Sequence, residues 1–85
     1  MGNYIMRSVG YQILADITDL NQVNPNLLGY KFVLSSTKNL PIVFDSTIMI
    51  LSQGLMVCVP YFEDGSNGVY MRTYNTRWFS WVKII

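Results

Sequence analysis

An all-β fold is predicted by three features of this sequence. Short runs rich in β-branched and aromatic residues recur along it, turn-forming residues separate the runs, and helical signal is confined to one short stretch. A first strand is expected over residues 4–7. Residues 16–23 can make one or two helical turns: Asp19 is placed to cap them, and Asn24-Pro25-Asn26 ends them, because the residue before a proline avoids the α region. Strands are then expected over residues 30–35, 47–51, 55–62, 69–74 and 78–84. Ser52-Gln53-Gly54 joins the third to the fourth. Residues 63–68, with an Asp-Gly and an Asn-Gly pair, join the fourth to the fifth, and Asn75-Thr76-Arg77 joins the fifth to the sixth. The C-terminal half therefore reads as an antiparallel meander. The expected layout is a small antiparallel β-sandwich or partly open barrel with one short helical turn near the N-terminus. It is one domain, with residues 1–15 as an arm and 16–85 as its body.

Alternation assigns faces in two of these strands. In residues 69–74, Val69, Met71 and Thr73 point one way and Tyr70, Arg72 and Tyr74 the other. The second set is expected to form an exposed aromatic-basic face, with Arg72 stacked on the two tyrosines. Residues 47–51 are almost wholly apolar and should be covered on both faces, by their own core and by another protomer. Pro60 cannot donate a ladder hydrogen bond and marks an edge or a bulge.

Composition limits what the chain can be. Its 85 residues are 51% hydrophobic and only 13% charged, about half the charge of an ordinary soluble domain. A core this small needs reinforcement. A lone Cys58 permits no internal disulfide, and a chain with no His and one Cys offers no zinc site. Association with other copies remains, and exposed apolar surface is expected on the protomer. The six basic residues are scattered, which argues against nucleic acid. The longest apolar run, residues 55–62, is far short of the ~20 residues of a membrane span. With no secretory signal and a free thiol, synthesis in a reducing cytoplasm is expected.

Catalytic chemistry is poorly supplied. Without His there is no Ser–His or Cys–His pair. Asp16 and Asp19 sit beside one turn and Glu63 and Asp64 in one loop, whereas paired glycosidase carboxylates face each other across a cleft. Residues 64–67 lack the ligand pattern of a calcium loop. No metal and no cofactor are expected, and Cys58, inside an apolar run, reads as a buried hydrophobe.

The order of landmarks from Asp19 onward resembles the knob domain at the tips of bacteriophage tail fibres and R-type pyocin fibres. The landmarks are Asp19-Leu20-Asn21, Gly29-Tyr30, the polar run Ser35-Ser36-Thr37-Lys38-Asn39 before Leu40-Pro41, Tyr70-Met71-Arg72, and Trp78-Phe79-Ser80-Trp81 near the end. Phe79 stands where that family often has Ser. The resemblance implies a virion attachment component at a fibre tip, a homotrimer partnered by a longer fibre or tail protein and assembled in the host cytoplasm.

The residues suit a non-catalytic binder of a bacterial surface glycan or cell-wall polymer. Trp78 and Trp81, three apart, would face opposite sides of a regular strand unless an irregularity brings them together. Either could stack on the C–H face of a sugar ring, or both could pack in the core. Arg72, Tyr74, Asn75 and Arg77 lie close in sequence and complete the candidate ligand-binding set, the arginines being suited to phosphate or carboxylate groups. The competing reading is a structural or chaperone-like module that trimerises or decorates a longer fibre.

Overall fold

A computed structural model describes residues 11–61 and 68–85. The expected strand at residues 4–7 and the loop residues 63–67 lie outside them. The all-β expectation holds, and the layout is open: among the described residues, six strands form a single sheet in simple sequence order. They are β1 (Gln12–Ile13), β2 (Gly29–Val33), β3 (Ser46–Ser52), β4 (Leu55–Pro60), β5 (Tyr70–Thr73) and β6 (Val82–Lys83). From β2 to β6 every pairing is antiparallel, the expected meander.

Differences from the expectation are local. A two-residue strand, β1, lies in the stretch read as an arm and pairs parallel with β2, so the sheet is mixed. Only Val82–Lys83 of residues 78–84 are strand, and Trp78 joins the sheet edge through an isolated bridge to Tyr74. Among the described residues, helical structure is a single 3₁₀ turn at Leu20–Gln22, capped by the Asp19 side chain, which accepts from the Asn21 backbone N–H at 2.9 Å.

Register defines two faces. The inner one carries three cross-strand rows: Gly29, Ile50, Met56 and Arg72; Lys31, Ile48, Cys58, Tyr70 and Lys83; and Val33, Ser46 and Pro60. The loop segments roof this face. Leu14, Leu20 and Trp78 are buried against Val33, Ile48, Ile50, Met56 and Cys58, with Ile17, Val23, Leu40 and Trp81 packed around them. Leu20, Ile48, Ile50 and Met56 are fully buried, each stabilising the fold by about 1.5–3 kcal/mol. Cys58 is fully buried as expected, and desolvation raises its thiol pKa.

Two glycines are required by geometry. A Cβ on Gly29 would lie 2.2 Å from the Gln12 carbonyl oxygen and 2.7 Å from a Leu14 methyl, so only glycine lets β1 and Leu14 approach β2. Gly54 turns β3 into β4 with φ +78°. Pro60 sits where its missing N–H costs no ladder bond. The neighbouring pair is hydrogen-bonded, Tyr61 N–H to Asp45 C=O at 2.7 Å, so Pro60 nitrogen points away from β3. On that side the pairing with β5 has already ended at Cys58–Tyr70.

The outer face is different. Residues 47–51 are not covered on both sides as expected: Ile48 and Ile50 are buried inward, Thr47 and Met49 are half-buried outward, and Leu51 is exposed. One outer row crosses all six strands as Ile13, Tyr30, Met49, Val57, Met71 and Val82. A second runs Phe32, Thr47 and Val59, with the Tyr61 ring set edge-on to Phe32 at 6.4 Å.

Candidate functional site

Arg72 ends the inner row that runs through Gly29, Ile50 and Met56, and is almost wholly buried, at 4% exposure. The expected exposed face is therefore corrected at Arg72 and at half-buried Tyr70, while Tyr74 is exposed. Alternation groups residues on one side, and burial of Met56 and Cys58 beneath this set turned that side inward. The guanidinium does not stack on the tyrosines. It lies 5.0 Å from the Trp78 ring centre and 4.6 Å from that of Trp81. One terminal nitrogen donates to Asn21 Oδ1 at 2.8 Å and the other to the Leu20 carbonyl at 2.6 Å. Nε, also buried, has no partner among the described residues. Burial lowers the Arg72 pKa to about 10, which leaves it charged at neutral pH.

Both tryptophans reach the same guanidinium because the chain is irregular from Phe79 to Trp81, so the alternation of a strand does not apply. Each indole N–H also ties down a loop. Trp78 Nε1 donates to the Val23 carbonyl at 3.0 Å and Trp81 Nε1 to the Asn39 carbonyl at 2.7 Å. Asn39 adopts the left-handed conformation, φ +68°, and its side-chain amide donates to Asp19 Oδ1 at 2.7 Å. The Asn21 N–H bond first, and then this one from Asn39, hold the Asp19 carboxyl below the usual aspartate range. Asp19-Leu20-Asn21 and the two tryptophans, distant in sequence, thus meet around the buried Arg72 cation.

Beside this cluster is a concavity of about 280 Å³ lined by Asn21, Asn39, Leu40, Arg72, Trp78, Phe79, Ser80 and Trp81. Phe79, 38% exposed, and half-buried Trp81 supply its accessible aromatic surface. Ser80 and Asn21 are exposed, and the Ser80 hydroxyl and the Asn21 side-chain nitrogen Nδ2 make no hydrogen bond among the described residues and can meet a hydroxyl-bearing ligand. The remaining expected ligand residues sit in the adjoining hairpin. Tyr74 packs edge-on against Trp78 at 5.2 Å, Asn75 is exposed, and the Arg77 guanidinium lies 5.3 Å from the Phe79 ring centre. Of the six residues expected from the sequence, Arg72, Trp78 and Trp81 line the concavity and Tyr74, Asn75 and Arg77 do not. The sequence reading passed over Asn21, Asn39, Phe79 and Ser80, although all four belong to its landmarks. No family model, curated protein or solved structure matches this chain.

Proposed function

We propose that this chain is a non-catalytic, glycan-binding attachment module of a fibre tip of the bacteriophage tail-fibre type. The observation that carries the reading is the concavity beside Arg72, where two accessible aromatic rings stand next to uncommitted amide and hydroxyl groups. Sugars are bound by such combinations, the rings stacking on C–H faces and the polar groups orienting hydroxyls. Arg77, exposed beside Phe79, suits a ligand that also bears phosphate or carboxylate, as cell-wall polymers do. The module works as a homo-oligomer, a trimer by the resemblance. Several weak sites on one virion tip then act together through avidity.

Binding to host cells and isolated wall polymer tests this reading. Phe79→Ala should weaken binding about 2–10-fold, the worth of one stacked ring, while leaving the circular dichroism unchanged. Arg77→Ala should weaken binding to anionic polymers alone. Wild-type protein that binds no host glycan or wall polymer sinks the reading. The second reading, a part that trimerises or decorates a longer fibre, draws on the sparse charge of the chain. Under it, deletion of the module leaves the fibre monomeric and the module binds no cells.

A further inference from the structure

We infer that the outer face of the sheet is the surface through which copies of this chain associate. Six apolar residues, Ile13, Tyr30, Met49, Val57, Met71 and Val82, form one row across all six strands, buried at its centre, where Val57 is 8% exposed, and exposed toward its ends. Neighbouring strands are about 4.8 Å apart, so the row spans about 24 Å. Phe32, Val59 and Tyr61 widen it on one side. Neither row carries a charged side chain; Lys31 and Lys83, on the same strands, point to the inner face.

The area suits a partner of protein size. Tyr30 is 45% exposed, Phe32 51%, Tyr61 73%, Ile13 66% and Val82 58%. At about 200 Å² for a whole aromatic side chain, those fractions leave roughly 500 Å² of apolar surface, to which the half-buried Met49, Val59 and Met71 add. That is at the upper end for a monomer, and close to the ~800 Å² per partner of a stable interface. An uncharged face needs an uncharged partner, and the same face on a second copy is one. Rings gather at β2 and the aliphatic Met71 and Val82 at β5 and β6, so a copy turned about a two-fold axis along the strands sets rings over methionine and valine, a pairing that closes as a dimer and not as the trimer the resemblance implies. Sheets packed this way lie about 10 Å apart. The layer missing from the single chain is then supplied by another copy.

Light scattering on the purified full chain tests the inference, with Tyr30→Lys and Phe32→Glu as face variants and Val43→Lys as control. Val43 is 75% exposed and lies in the bend between β2 and β3, away from the sheet. Wild type and Val43→Lys should run at a multiple of 9.8 kDa. Each face variant should keep its β circular dichroism and raise the dissociation constant about 30-fold or more, as loss of an interface hot spot does. A wild-type monomer overturns the inference, as does an oligomer that both folded face variants leave intact. If Tyr30 and Phe32 are shielded in a monomer, the cover belongs to the chain itself and the inference fails. A monomer would also remove the avidity from the proposed function, whereas glycan binding at the single site is tested separately by Phe79→Ala.

Discussion

Replacing Arg72 by methionine should cost about 3–5 kcal/mol of folding free energy. Methionine keeps an apolar stem of similar reach in the core and removes the guanidinium alone. Two hydrogen bonds from a charged donor disappear, those to Asn21 Oδ1 and to the Leu20 carbonyl, and such bonds are worth about 1.5–3 kcal/mol each. Contact with the Trp78 and Trp81 rings adds about 0.5–1 kcal/mol per ring. Against this stands the cost of keeping a charge out of water, visible in the depressed pKa and in the unpaired Nε, so the low end of each range applies. A chain of 85 residues has a total stability of about 4–13 kcal/mol, so the loss removes a large part of it. Urea unfolding followed by circular dichroism and tryptophan fluorescence measures the change. Arg72→Lys, a point donor that cannot fork to both acceptors, should fall between the two proteins. Should Arg72→Met unfold within about 1 kcal/mol of wild type, Arg72 is not the strut that joins the 3₁₀ turn to β5. A binding defect in an Arg72 variant is therefore evidence about the ligand only after its fold has been verified.

Two further outcomes are expected. Gly29→Ala should destabilise the chain by about 1–3 kcal/mol, the usual cost of overpacking, since the Gln12 backbone and Leu14 must both retreat. Hydrogen exchange should then show the Leu14 amide, bonded to the Tyr30 carbonyl at 2.8 Å, losing protection before the β3–β4 ladder. Asp19 has a pKa below its unfolded value, so the unfolded state binds more protons than the native state between the two values. Stability should fall as pH drops through that window, below about pH 4, and melting temperatures should show a shallower acid limb for Asp19→Asn.

Much of the fold was legible because its cues are local. β2 to β5 were marked by apolar runs and by the turns between them, and Gly54 occupies the positive φ that its turn needs. Asp19 caps the turn it was expected to cap, and Cys58 is buried. β1 left no signal. Two residues are too few for a pattern, and their pairing with β2 depends on the close approach that Gly29 permits. β6 shrank because the indoles of Trp78 and Trp81 bond to the loop carbonyls of Val23 and Asn39, which pulls residues 79–81 out of regular pairing.

The candidate site was legible as residues but not as an arrangement. Composition and alternation by themselves determined that this chain is all-β, short of charge and without an internal staple, and that Tyr70 and Arg72 share a face. Only the tertiary structure decided which way that face turns. Periodicity is a property of neighbours along one strand, whereas inward and outward depend on which segments from elsewhere in the chain cover the sheet. Here residues 14–23 and the two tryptophans cover the side bearing Arg72, which makes the arginine a buried strut, whereas Tyr30, Phe32 and Val82 on the opposite side are exposed.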